Sequence, residues 1–197
     1  MDAELPLFPL GTVLFPGGVL PLRVFETRYV DMVRERLRAD APFGVCRITR
    51  GAEVGQAAEH EPIGCTARIV DWDMPEAGVL VLRTIGEQRF RVLERRVERG
   101  LVRARVESIP PDARVAPPKR LAAGVELLRR GIASLDESDE PGSIAQPHDF
   151  DSAGWVANRL AELLPLSPEV RQKLLALDDP VERLERVDIV LRSLGAG

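Results

Sequence analysis

LPLFPLGTVLFPGGVLPLRVFETRYVDMV, residues Leu5 to Val33, is the stretch whose reading decides the fold. Short apolar runs alternate with Pro9, Gly11, Pro16, Gly17, Gly18 and Pro21, a pattern that suits brief strands broken by tight turns and not one long helix. At Phe25 the period changes. Phe25, Tyr29, Val33 and Leu37 fall at four-residue spacing, so the strands run into an amphipathic helix whose apolar stripe can lie on the sheet just built. Thr27 is the expected N-cap of that helix.

Outward from this stretch, Pro42 to Ile48 reads as a strand leaving the first helix, and the polar run Thr49 to Glu61 as a hairpin or exposed loop. Ile63 to Trp72 alternates like a strand with one buried face, and Asp73 to Gly78 turns the chain. Val79 to Ile85 and Gln88 to Leu93 form two strand candidates split at Gly86-Glu87, and Val102 to Val106 another. Six or seven short strands, antiparallel by their connection lengths, favour a closed or nearly closed barrel that hides its edges. The proline pairs Pro110-Pro111 and Pro117-Pro118 stiffen a connector, and the pattern beyond them is helical. Leu121, Val125, Leu128, Ile132 and Leu135 mark one helix; Val156, Leu160, Leu163 and Leu164, with Ser152 as cap, mark a second. Ser167-Pro168 and Asp179-Pro180 each give a cap followed by proline at the first helical position. Asp136 to Asp151, acidic and broken by prolines, reads as a loop open to proteases. The fold class expected is α+β: a β-rich domain over residues 1–116 with one packed helix, then a C-terminal helical bundle over 117–197.

With 197 residues, 45% hydrophobic and 29% charged, the composition is that of an ordinary soluble protein. A net charge of −4 argues against a surface built for phosphate backbones or anionic lipid. The N-terminus is acidic where a secretory signal would be basic, and the longest nearly apolar run, Val13 to Leu22, is too short and too rich in proline and glycine to span a bilayer. Cys46 and Cys65 form no CxxC pair, so two buried thiols in a reducing cytoplasm are expected.

The search for chemistry returns mostly exclusions. No glycine-rich loop precedes Lys-Ser or Lys-Thr, and no G-x-S-x-G elbow exists, so neither ATP hydrolysis by a phosphate loop nor triad hydrolysis is expected, and no cofactor is implied. His60 and His148 read as surface histidines in polar loops. Glu59-His60-Glu61 and Asp71-x-Asp73 offer too few converging ligands for a metal site. The cluster Arg89, Arg91, Arg95, Arg96, Arg99, Arg103 and Arg105 is the sharpest charge feature, but Glu87, Glu94, Glu98 and Glu107 are interleaved with it, so ion pairing on a wet face consumes much of that charge.

The ordered set Leu5-Pro6-Leu7-Phe8-Pro9-Leu10, Leu14-Phe15-Pro16-Gly17, Leu20-Pro21-Leu22, Phe25-Glu26 and Arg28-Tyr29 resembles the N-terminal, substrate-binding domain of Lon-type proteases, in the version found in stand-alone bacterial proteins. Ile63-Gly64 and Gly86-Glu87-Gln88-Arg89-Phe90-Arg91 are similar to later elements of that family. Thr27 stands where relatives often carry proline, and Gly11 where many carry asparagine. The resemblance implies a pseudo-barrel related to PUA domains, followed by helices. It implies a non-catalytic protein that binds unfolded or flexible polypeptides, with a protease or chaperone as candidate partner, since the ATPase and Ser-Lys protease modules of Lon-type proteases have no counterpart in these residues. Phe15, Pro16, Phe25 and Tyr29 are the candidate polypeptide contacts. Phe15 either inserts into the barrel end, as aromatic residues of short barrel strands usually do, or stands exposed beside the first helix. The alternative is RNA binding through the barrel and the Arg89 to Arg105 hairpin.

Overall fold

The first strand, β1 (Glu4–Leu10), has two neighbours, and through them a seven-stranded sheet closes on itself. The structure is a computed structural model that describes residues 4–136 and 144–195. β1 runs antiparallel to β7 (Leu101–Ser108), with Glu4 opposite Arg105, and parallel to β3 (Phe43–Arg50), with Leu7 opposite Gly44. That parallel pair departs from the all-antiparallel expectation. Helix α1 (Thr27–Ala39) lies between β2 (Val19–Val24) and β3 in the chain, and returns it to β1 in the same direction. The ring continues from β7 through β6 (Val79–Glu98) and β5 (Ile63–Glu76) to β3; β2 adds to the first half of β6, and the two-residue β4 (Glu59–His60) to β3.

β6 is one strand of 20 residues, not two split at Gly86. Gly86 is there for contact. Its N–H donates to the Gly18 carbonyl at 2.9 Å, and the Gly17 N–H donates to the Gly86 carbonyl at 2.7 Å, so the Phe15–Gly18 turn docks against mid-strand backbone. A Cβ at position 86 would overlap the Phe15 carbonyl oxygen. β5 likewise runs on through Glu76, and the reversal is confined to Ala77-Gly78, where Gly78 takes φ +83°.

The core of the β-rich part joins Phe8, Leu14, Val24, Tyr29, Met32, Val33, Phe43, Leu80 and Leu82, so α1 and the sheet share one apolar interior. A second cluster on Phe90 gathers Leu5, Leu7, Val102 and Ala104. The expected stripe of α1 holds at Tyr29 and Val33, which are buried, and fails at Phe25, which lies outside the helix and is 54% exposed. The N-cap is Glu26 and not Thr27, and it makes no side-chain cap bond. Its backbone carbonyl accepts from the Tyr29 and Val30 N–H groups while its carboxylate is held elsewhere, so the helix begins one residue early.

The chain divides into two compact units, Met1–Pro110 and Pro111–Gly197, at the first proline pair instead of the second. The second unit holds α2 (Ala122–Asp136), α3 (Ala153–Leu163), α4 (Pro168–Leu175) and α5 (Pro180–Ser193). Ser152, Ser167 and Asp179 cap α3, α4 and α5 through side-chain oxygens, as their positions in the sequence predict. Ala153, Ala157 and Ala161 share a fully buried face of α3, and Leu163 is left 45% exposed. Arg183 of α5 is buried and fully engaged: it donates to the Leu174 carbonyl at 3.0 Å, the Leu177 carbonyl, Asn158 at 3.2 Å and both Asp112 oxygens. Asp112 is thus already part of this unit, which is why the division precedes the second proline pair. Of the loop expected over Asp136 to Asp151, residues 137–143 lie outside the described residues. In its later part His148 packs at 5.9 Å from Phe150 and 5.7 Å from Trp155, and is half-buried instead of a surface histidine.

Candidate functional site

Where β2 ends and α1 begins, the chain leaves a small cleft with apolar lips. Phe25 and Val54 flank it, 54% and 58% exposed; Phe8 and Tyr29 form its floor, and Arg23, Glu26 and Glu53 its rim. The floor is rigid. The rings of Phe8 and Tyr29 stack with centroids 4.0 Å apart, and the Arg28 guanidinium lies 4.5 Å from the Tyr29 centroid. Burial pushes the Tyr29 hydroxyl pKa above its usual value, against the opposing pull of Arg28, so the floor stays uncharged.

The loop that brings Val54 to the cleft is tied down by two carboxylates. Glu53 accepts the Gly11 N–H at 2.6 Å, and Glu26 accepts the Gly55 N–H at 3.4 Å while pairing with Arg28 at 3.1 Å. The opening motif and the polar 51–58 stretch therefore build one surface. The cleft holds about 40 Å³, room for the end of one apolar side chain and far below what a cofactor or small substrate occupies.

The four sequence-predicted contact residues separate here. Phe25 is at the lip and Tyr29 in the floor of the same cleft. Phe15 has no exposed surface and Pro16 is half-buried, because the docking of Gly17 and Gly18 on Gly86 draws the turn into the fold. Phe15 is a core residue. Val54 lines the same cleft and was not among the residues singled out from the sequence; its signal is a lone large apolar residue in an otherwise polar loop.

A second hollow, of about 420 Å³, opens between α1 and the β6–β7 turn, and both signs of charge line it. Arg103 meets Glu35 at 3.2 Å and Glu98 at 3.4 Å, and Arg28 donates to the Gly100 carbonyl at 2.6 Å. Part of the arginine cluster is spent in this way: besides Arg103, Arg96 pairs with Glu4 and Arg105 with Glu94 directly across the strands, and Arg89 is buried. Among the described residues, no group of three or more His, Cys, Asp or Glu side chains converges as metal ligands. His60 is half-buried, opposite Ile48, and not a surface histidine; burial lowers its pKa. Both cysteines are free and buried, and burial, with the Glu61 carboxylate, pushes the Cys46 thiol up to about 12.

A family model described as the ATP-dependent protease La (LON) substrate-binding domain matches residues 4–193. The chain belongs to this family. It is 28% identical to Lon protease of Anaeromyxobacter dehalogenans, over 98% of this chain and 23% of that protein, and 33% identical to protein cereblon of Gallus gallus over 64% and 28%. The chain thus spans about a quarter of the length of these relatives. The Lon N-terminal domain protein of Xanthomonas campestris superposes with a TM-score of 0.77 at 40% identity, over 94% of this chain and 96% of that one. The N-terminal domain of the Mycobacterium avium complex Lon protease shares the fold, with a TM-score of 0.64 at 15% identity. Among the described residues no helix is long and apolar enough to cross a membrane.

Proposed function

We propose that this protein recognises unfolded or flexible polypeptide segments without acting on them chemically, and that the Phe25–Val54 cleft is a contact point. The observation that carries the reading is the cleft itself. Two large apolar side chains, Phe25 and, on a braced loop, Val54, stand exposed over a stacked aromatic floor, at a size that accepts one apolar side chain and little else. Membership in the substrate-binding family supports a role in recognition; a protease or chaperone would supply the step that follows capture. The closed sheet supports reading the first unit as a PUA-like pseudo-barrel, and the capped helices support reading the second as a helical subdomain. Two buried free thiols suit a reducing cytoplasm.

The test is fluorescence anisotropy of a labelled, casein-like unfolded polypeptide with the parent protein and with Phe25→Ala/Val54→Ser. Weaker binding by the variant at unchanged melting temperature is expected. Equal affinity removes the cleft from the function. Retention on RNA that falls steeply with salt would favour the nucleic-acid alternative, because phosphate contacts release counterions and apolar burial does not.

A further inference from the structure

We propose that the free edge of β5 in the distal half of the β5–β6 hairpin is a second docking strip, for an extended polypeptide segment that alternates apolar with basic side chains. The proposal rests on the polypeptide-recognition reading for the class of partner and adds both a place and a charge preference. As far as Ala67, β5 lies between β3 and β6; from Arg68 to Glu76 only β6 is beside it among the described residues. Along this stretch Val70, Trp72 and Met74 are 43%, 51% and 42% exposed; Trp72 stands opposite Leu82 in register while Asp71 and Asp73 stand opposite Arg83 and Val81, so these carboxylates lie on the other face of the strand from Trp72. Tryptophan and methionine left in water together on one strand form an interaction surface, not the scattered exposure normal for a soluble protein.

Polar groups on the strip select the occupant. The Trp72 N–H donates to the Asp71 carboxylate at 2.9 Å and the Met74 N–H to Asp73 at 2.7 Å, so a strand adding to this edge competes with the chain's own carboxylates for those donors. Recognition therefore falls to side chains. Asp71, Asp73 and Glu76 give the strip three carboxylates. Arg83 stands opposite Asp71 in register and Arg23 meets Glu76 at 3.4 Å, while Arg68 at the root is already shared by Asp40 and Glu87. The surplus is negative. A second copy would bring like carboxylates together and nucleic acid would be repelled, whereas lysine or arginine side chains flanking apolar ones satisfy both features at once.

The test uses two labelled peptides of equal length and leucine content, one alternating with lysine and one with glutamate, each monomeric at the concentration used. The lysine peptide is expected to bind the parent at least tenfold tighter, with affinity falling as salt rises. Trp72→Ala/Met74→Ser should weaken it at least tenfold while leaving the melting temperature unchanged. Asp71→Asn/Asp73→Asn, which keeps an oxygen to accept each N–H, should remove most of the charge preference. Equal binding of both peptides, or parent-like binding by Trp72→Ala/Met74→Ser, overturns the proposal. So does dimerisation of Asp71→Asn/Asp73→Asn on size exclusion, which would make a second copy the occupant. Capture of the casein-like polypeptide without binding of the lysine peptide defeats this strip alone; failure to bind either defeats the polypeptide reading as well.

Discussion

Phe15 and Phe25 stand ten positions apart in one apolar motif, each at the end of a short strand-like run, and they have opposite fates. Phe15 is fully buried and Phe25 is half in water. Side-chain hydrophobicity does not separate them. The backbone does: the turn after Phe15 hydrogen-bonds through Gly17 and Gly18 to Gly86, which pulls the ring inward, whereas Phe25 is followed by a helix cap whose carboxylate braces a neighbouring loop and leaves the ring outside.

The contrast breaks most visibly at Phe15. Phe15→Ala should cost about 3–5 kcal/mol of stability, read from urea denaturation, and any loss of binding should track unfolding. A variant as stable as the parent would mean that the ring is not part of the core. Gly86→Ala tests the same seal from the other side; its Cβ meets backbone that cannot swing away, so a loss of about 2 kcal/mol is expected with no change to any exposed residue. At Phe25 the signs reverse: Phe25→Ala should move stability by less than about 0.5 kcal/mol and weaken polypeptide binding by about 1–2 kcal/mol in titration. Large destabilisation there would erase the distinction between the two rings.

A finer probe is His60, whose pKa burial holds below the ordinary 6.5. As pH falls through that ordinary value the unfolded chain takes up a proton that the folded chain refuses, so the contribution of His60 to stability is full above it and is lost downward toward the lowered value. His60→Gln should flatten that part of the acid limb when urea midpoints are compared between about pH 7.5 and pH 5. An unchanged slope would show that His60 is not the group responsible.

Much of this was legible in the sequence because it rests on local rules. The helix caps at Ser152, Ser167 and Asp179 and the proline-broken opening strands are set within a few residues of themselves. What was hidden depends on partners far along the chain. Gly86 looked like a turn because glycine in sequence carries no mark of what approaches it, and the 15–18 turn is some seventy positions away. Val54 looked like part of a solvated loop because its supports, Gly11 and Glu26, belong to the opening motif. The length of β5 was missed for a related reason: Asp73 read as the start of a turn, yet here it serves an extended backbone by accepting the Met74 N–H.

The closing strand pair sets a schedule for folding. The hairpins β5–β6 and β6–β7 join neighbours in sequence and can form as soon as they are synthesised, but β1 must wait for β3 on one side and for β7 on the other. Until the residues around Arg105 leave the ribosome, the first strand keeps an unpaired edge, and its final capture bears the entropy of closing nearly the whole first unit as a loop. Closure should accordingly be the slow step of folding, and the newly made N-terminal strand the segment most exposed to mispairing before that step is complete.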